Sequence, residues 1–411
     1  MDALYHWATS NGASLHKNAT LCANRCIKAH GPIAEGESLL SLPYGLIITS
    51  QLAFETLKLP DSICSHDALI LYLLDDVRNV AHQAYIASLP TSFPGIPFHW
   101  TDSQWQLLQG TNLHGAGIAR LENLKKQHGS LCKKMSLNIP WDRYAWAHSV
   151  LTSRAFSLSL LHLEGTDLDK PEEILLPFLD MLDHAPDLPI AWIGDPAARH
   201  VTFKTGRAID AGATLFNNYG PKPNEELLLG YGFTIKDNPY DTVALKMAKA
   251  LNPTSAQVER AGVNTEVFFL KAHTDDANAV FGVIPWELVA TIRGHFMDEE
   301  QAAHQANMGK TELEQLHTSH SPGLQADLEV FDMLAQMLES KLSAIDGNGV
   351  AGDLGPGEEE LLRNLKHYRD GQLSLLKRAH ATAKSLLDVL ESRYNLADDQ
   401  DSELPWQESL V

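Results

Sequence analysis

The sequence predicts an α+β fold with an all-helical C-terminal part. Three observations carry this. Short strand-like runs bounded by glycine and proline recur at residues 34–42 and 200–220. Helical periodicity fills the stretches between them and dominates after about residue 245. A chain of 411 residues is also too long for one small domain, which points to two.

Residues 34–42 (AEGESLLSL) read as a glycine-containing turn feeding a short apolar strand closed by Pro43. Residues 65–88 read as a helix, with Leu69, Tyr72, Leu73 and Val77 at 3–4 spacing. The connector LPTSFPGIPFHW that follows has too many prolines for regular helix. Residues 103–126 and 141–161 read as further helices. HVTFKTGRAI and ATLFNNYG are short strands, followed by a Gly/Pro/Asn cluster and the short helix NEELLLGYGF. Farther on, Leu324, Leu328, Phe331, Leu334, Leu338 and Leu342 form one apolar stripe. A second stripe runs from Leu361 through Leu365, Tyr368, Leu375 and Leu386 to Leu390, with Gln372 where an apolar residue is due. The two stripes predict an antiparallel helix pair with a buried seam. Between them, residues 346–357 hold five glycines and read as a flexible loop. The predicted division is a first domain over 1–245, a helical domain over 246–393 and a loose acidic tail over 394–411.

Composition narrows the function classes. Hydrophobic residues are 44% and charged residues 20%, a folded rather than disordered composition. The formal net charge of −20 argues against a general nucleic-acid binder, which needs a basic face, and favours a basic polypeptide partner. Cys22, Cys26, Cys64 and Cys132 make no disulfide framework and no CxxC pair, so a reducing, cytoplasmic or nuclear setting is expected. No apolar run approaches the ~20 residues that span a bilayer, and the N-terminus does not read as a signal peptide. A monomer that binds neither membrane nor nucleic acid is expected.

Three constellations could carry chemistry. In Pro177-Phe178-Leu179-Asp180-Met181-Leu182-Asp183-His184, two carboxylates and an imidazole crowd together. They could form a metal site, a polar pocket for a charged small molecule, or a turn whose aspartates cap backbone amides. Phe216-Asn217-Asn218-Tyr219-Gly220 and Gly230-Tyr231-Gly232-Phe233 set phenols beside glycines, where backbone can approach a ligand and a phenol can position a nucleophile. The alternative is a pair of strand ends with core aromatics. In Ser153-Arg154-Ala155-Phe156 the guanidinium could grip a carboxylate bidentately or make a surface ion pair. There is no GxxxxGK[ST], GxSxG or HExxH, and Gly230-Tyr231-Gly232 lacks the rest of a dinucleotide fingerprint.

The order of these blocks resembles the SET-domain methyltransferases of the Rubisco large-subunit methyltransferase-like group, which includes ribosomal-lysine and actin-histidine methyltransferases. Arg25-Cys26-Ile27-Lys28-Ala29 with Ile33 to Glu37 and Leu40-Ser41-Leu42-Pro43 is similar to the first SET strands. YIASLPTSFPGIPFHW with Leu108-Gln109-Gly110-Thr111 resembles a helical insert, at about residues 60–150. Ser153 to Phe156 resembles the family's Ser-Arg-x-Phe, Asp180 to His184 its Asp-x-x-Asn-His, and Tyr219-Gly220, Asn224 and Tyr231-Gly232-Phe233 its knot-like closing segment. Ile284-Pro285 and Arg369 to Leu373 resemble the family's helical substrate-binding domain.

The resemblance implies a protein-lysine N-methyltransferase that uses S-adenosylmethionine and no metal. It implies that Tyr231 is the catalytic tyrosine. Asn24, Arg25, Cys26, Arg154, Asp183, His184, Gly232 and Phe233 would hold the cofactor, while Ser153, Asp180 and Tyr219 would face the substrate amine. The chain departs from the family pattern at Asn24 and Cys26, where relatives have glycines, and at Asp183, where they have asparagine. The other readings of the residues are a SET-like module that binds a peptide without catalysis, and a metal-dependent hydrolase using Asp180, Asp183 and His184. A histidine acceptor and the number of methyl groups added are left open.

Overall fold

Alternating burial builds the sheets of the first of two compact units, Met1–Trp100, Ala119–Lys222 and Leu228–Gly232. The computed structural model describes residues 1–22, 25–163, 172–247, 267–272, 283–296, 324–347 and 358–402. In chain order the strands of this unit are β1 (Ser14–Leu15), β2 (Ala19–Leu21), β3 (Ile27–Ala29), β4 (Ser38–Pro43), β5 (Ile48–Thr49), β6 (Ala155–Ser157), β7 (Glu173–Leu175), β8 (Asp183–His184), β9 (Ile190–Asp195), β10 (His200–Thr205) and β11 (Phe216–Asn217). An antiparallel sheet runs in the order β1-β4-β10-β9, with Val201 and Phe203 of β10 buried and facing Leu42 and Leu40 of β4 across the ladder. A second antiparallel sheet has the order β5-β7-β6, β2 and β3 form a hairpin, and β8 pairs in parallel with β11. The strand expected to follow the glycine-containing turn in residues 34–42 is β4, which runs to Pro43.

The helices of this stretch are shorter than their periodicity suggests. The helix expected over 65–88 is Ser65–Leu74. It stops because Asp75 Oδ1 accepts the N–H groups of Val77 and Arg78 at 3.1 and 2.6 Å, a local turn that competes with helix. Val77, counted on the apolar stripe, is 77% exposed. The helix expected over 141–161 is Trp141–Arg154. It ends where Ala155 and Phe156 pair with Leu175 and Ile174. The stretch 103–126 is two helices, Asp102–Gln106 and Asn112–Met135, with Gly110 between them at φ +85°.

The second unit comprises Thr101–Ile118, Pro223–Leu227 and Phe233–Val411. The two stripes fold as the helices Leu324–Asp346 and Glu359–Ser402, which pack through Phe331, Leu334, Leu338, Leu375, Leu376 and Ala379. The helix Trp286–Phe296 joins the same core. A two-stranded antiparallel sheet, β12 (Thr242–Lys246) with β13 (Val267–Lys271), adds to the helices expected here. Gln372, the break in the second stripe, is buried because its Nε2 donates to Thr242 O at 2.8 Å. Arg369 donates to the carbonyls of Leu107 and Gln109 at 3.2 and 3.1 Å and to that of Ile345. The last helix runs to Ser402, so the expected acidic tail begins as helix. Residues 348–357 of the glycine loop, and 403–411, lie outside the described residues. Among the described residues, no helix is long and apolar enough to cross a membrane.

Within the first unit, two glycines meet with no room for a side chain. A Cβ at Gly95 would lie 2.2 Å from Gly232 O, and Gly232 itself has φ +81°. Gly95→Ala is expected to cost about 3 kcal/mol of stability, read from urea unfolding, because backbone rather than a flexible side chain must yield.

Two histidines of this unit are buried. His82 bonds the Tyr72 hydroxyl at 2.7 Å through Nδ1, and His148 Nδ1 bonds His66 Nε2 at 2.9 Å. Burial pushes His82 down to about 4 and His148 down to about 3. In the unfolded chain both titrate near ~6.5, so below that pH the unfolded chain binds the extra protons. Stability is therefore whole above about pH 6.5 and falls as acid is added, by up to about 1.4 kcal/mol per pH unit for each histidine. Urea unfolding at about pH 7 and about pH 5 checks this. His82→Gln is expected to flatten the slope.

Candidate active site

The junction of helix and strand at residues 154–155 fixes the site. Pro140 precedes the helix Trp141–Arg154 and Asp142 sits in its first turn, both favourable at a helix start. At the other end the backbone turns extended at Ala155 to enter β6. That holds Arg154 with its guanidinium inward. Its Nη1 donates to Asp180 Oδ2 at 3.1 Å and to Asp180 O at 3.0 Å. The Asp180 side chain is 1% exposed. Its Oδ2 also accepts the fully buried Tyr85 hydroxyl at 2.8 Å. Burial works against the Arg154 charge, and Asp180 and Tyr85 outweigh it, so its pKa rises. Burial and then Asp180 push the Tyr85 phenol well up.

Asp180 sits in a 3-10 turn, Leu179–Met181, entered through Phe178 at φ 76°. The chain then runs into β8, where Asp183 and His184 lie beside Phe216 and Asn217 of β11. Tyr219 follows β11. Its N–H donates to His184 Nδ1 at 3.1 Å and its hydroxyl to Leu182 O at 2.9 Å. The His184 and Tyr219 rings stack at 4.9 Å, and those of Tyr219 and Tyr231 at 5.0 Å. Burial, then Asp183, push the Tyr219 phenol up. Burial, then Lys222, push His184 down, which fits an Nδ1 lone pair that accepts a backbone bond. Tyr231 ends the helix Asn224–Tyr231, and Thr152 Oγ1 donates to Gly230 O at 3.1 Å.

These elements enclose a cavity of about 210 Å³. Ser153, Arg154, Asp180, Tyr219 and Tyr231 line it together, so the sequence-selected residues of three separate blocks converge. Ser153 Oγ is turned to its own helix, donating to Ser149 O at 2.6 Å. Arg25 joins the group electrostatically. It takes left-handed φ 64°, donates to Met181 Sδ at 3.8 Å, and its pKa is lowered by burial and by Arg154. Asp183 lies at the exposed side of β8, where burial by its neighbours raises its carboxyl against the pull of Arg154 and Arg25. The Cys26 carbonyl accepts the Cys22 N–H at 2.8 Å. Gly232 abuts Gly95, Phe233 belongs to the second unit, and Asn24 lies outside the described residues. Asn224 is structural: in the second unit it is clasped by Asp241, with bonds of 2.6 and 2.9 Å.

Two fully buried atoms of these cavity-lining residues, Arg154 Nε and Asp180 Oδ1, have no hydrogen-bond partner; one is a donor and the other an acceptor. The metal reading of residues 177–184 loses its ligand set. Asp180 is taken by Arg154 and Tyr85, and among the described residues no three His, Cys, Asp or Glu side chains converge as a metal would need.

No family model matches the chain. It is 28% identical to the ribosomal lysine N-methyltransferase set10 of Schizosaccharomyces pombe, across 94% of its own length and 73% of that protein. It is 30% identical to ribosomal lysine N-methyltransferase 1 of Saccharomyces cerevisiae, across 76% of its own length and 61% of that relative. The fold matches the SET domain of LSMT, solved bound to lysine and AdoHcy, with a TM-score of 0.70 at 17% identity, covering 95% of this chain and 92% of that one. The fold is that of the SET domain of LSMT, and the sequence is similar to those of ribosomal lysine N-methyltransferases.

For this SET chain, sequence reasoning missed Tyr85, Trp192 and Lys222 as site residues, and gave Asn217 no role within its constellation. Trp192 Nε1 donates to Asn217 Oδ1 at 2.8 Å at the cavity wall. Tyr85 stood near the end of the helix expected over 65–88, in the block that resembles the helical insert. The signal that could have raised Lys222 is its place between Pro221 and Pro223, directly after Tyr219-Gly220. Asp180→Ala is expected to cost about 3–5 kcal/mol in chemical denaturation, because it strands a buried guanidinium. Pairing it with Arg154→Met should recover most of that loss.

Proposed function

We propose that this chain is an S-adenosylmethionine-dependent protein-lysine N-methyltransferase. The observation that carries the reading is the Arg154–Asp180 pair meeting the stacked Tyr219 and Tyr231 around one cavity. When bound, the cofactor supplies an electrophilic methyl group on a sulfonium. The residues present fit it. Arg154 Nε is a buried, unpartnered donor suited to a carboxylate. His184, Gly232 and the backbone about Arg25 and Cys26 would complete its side of the site. Asp183 accepts from an ammonium where relatives have asparagine.

Asp180 Oδ1 is an acceptor suited to an amine N–H and would orient the incoming lysine. Ser153 and Tyr219 would shape the channel beside it. The Tyr231 phenol would position the nitrogen, since alignment dominates an in-line displacement. A lysine with a free pKa of ~10.4 must shed its proton first, and a dry pocket favours the neutral amine.

The residues to 245 would carry the chemistry, and the helical residues 246–393 would dock the protein substrate. A lysine-rich substrate of the ribosomal kind suits the net charge of −20 and the names of the first two relatives. A monomer acting in the cytoplasm fits such a target. A competing reading, a SET-like module that binds a peptide without catalysis, draws on Asn24, Cys26 and Asp183.

Incubation with radiolabelled S-adenosylmethionine and cell extract tests activity and reveals the target, and calorimetry with S-adenosylhomocysteine tests the pocket. Cofactor binding with labelled protein supports the enzyme, and binding of neither cofactor nor label removes it. Tyr231→Phe is expected to lower transfer by about 10²-fold or more with cofactor affinity nearly unchanged, measured by initial rates and calorimetry. Unaltered turnover would take Tyr231 out of its role.

A further inference from the structure

Asn217 lines the cavity with Tyr219 and Tyr231, and the reaction proposed above gives it no task. Its main chain is fixed. It sits in β11 beside His184 of β8, and its carbonyl accepts the Ala185 N–H at 2.8 Å. Its carboxamide is fixed as well. Oδ1 accepts the indole N–H of Trp192 at 2.8 Å and the main-chain N–H of Asn218 at 2.8 Å. The indole that donates is itself clamped, stacked on Phe203 at 5.8 Å and edge-on to Phe156 at 5.1 Å.

An indole N–H and a main-chain N–H can only donate. The carboxamide oxygen must therefore face them, and a flipped amide would set donors against donors. That turns the Nδ2 hydrogens the other way. Among the described residues Nδ2 meets no acceptor, yet it is not shut off from solvent as Arg154 Nε and Asp180 Oδ1 are. The cavity wall thus carries a fixed donor that no protein group satisfies. A lysine seated with its nitrogen at Tyr231 passes a methylene stem through the cavity, and the stem offers nothing to a donor. The first acceptor behind that stem is a carbonyl of the substrate's own main chain.

We propose that Asn217 is a specificity-determining residue: its Nδ2 donates to a main-chain carbonyl beside the target lysine, and so selects an amine carried on a polypeptide. The inference rests on the methyltransferase reading above. The bond is the same before and during methyl transfer, so it contributes to substrate affinity and not to the displacement itself.

The test compares Trp192→Phe with the double variant Trp192→Phe/Asn217→Leu. The single variant keeps the amide, still held by the Asn218 N–H, and sets the baseline. The double variant removes the amide without stranding an indole donor. Initial rates are measured on the protein that takes label in cell extract, purified. The expected result is a KM about tenfold higher in the double variant than in the single one, with kcat and S-adenosylhomocysteine affinity matched between the two. An equal KM, or a fall in kcat at equal KM, overturns the proposal and leaves the methyltransferase reading standing. Alanine in place of the residues flanking the target lysine is expected to leave the KM difference intact. Its disappearance there shows a side-chain acceptor and overturns main-chain docking. An intact chain that labels no protein overturns both the methyltransferase reading and this inference. If the double variant fails to fold, Trp192→Phe/Asn217→Ala carries the same comparison.

Discussion

A guanidinium and a carboxylate buried against each other organise the first unit. Taking both charges out of water is costly, and the cost is repaid only when geometry and extra hydrogen bonds satisfy them. Arg154 and Asp180 meet that condition in part. The guanidinium reaches both the side chain and the carbonyl of Asp180, and Tyr85 supplies a further donor. The pair thereby joins the end of the helix Trp141–Arg154 to the 3-10 turn at Asp180. It leaves one donor and one acceptor atom unmet at the cavity.

The aromatic side of the cavity follows from backbone pairing. β8 and β11 come from distant parts of the chain, yet their parallel pairing sets His184 beside Asn217. That brings Tyr219 against the imidazole and then against Tyr231. Tyr231 in turn is held through its helix, by the Thr152 bond to Gly230 and by the contact of Gly232 with Gly95. Main-chain pairing thus brings the two phenols together, and ring stacking and the Tyr219 bond to Leu182 O hold them there.

The second unit shows the same logic of satisfied buried polar groups. Gln372 and Arg369 interrupt apolar stripes, and both are buried because backbone carbonyls receive their donors. Arg293 and Asp327 form another buried pair at 2.8 Å. Polar residues on these helices act as fixed joints between elements rather than as chemistry.

Periodicity and punctuation by themselves determined much of this molecule. The stripes of 324–342 and 361–390, the strand ending at Pro43 and the helix 224–231 are local patterns, and local physics suffices to build them. The order of the Ser-Arg-x-Phe, Asp-x-x-x-His and Tyr-Gly blocks likewise pointed to one pocket. Only the tertiary structure decided that Arg154 grips Asp180, that Tyr85 completes that pair, and that Trp192 donates to Asn217. It also decided where helices stop, because Asp75 and the pairing of Ala155 with Leu175 override a continuing apolar pattern. These outcomes depend on contacts between residues far apart in the chain, and no local spacing encodes a partner's distance or the burial that sets its charge.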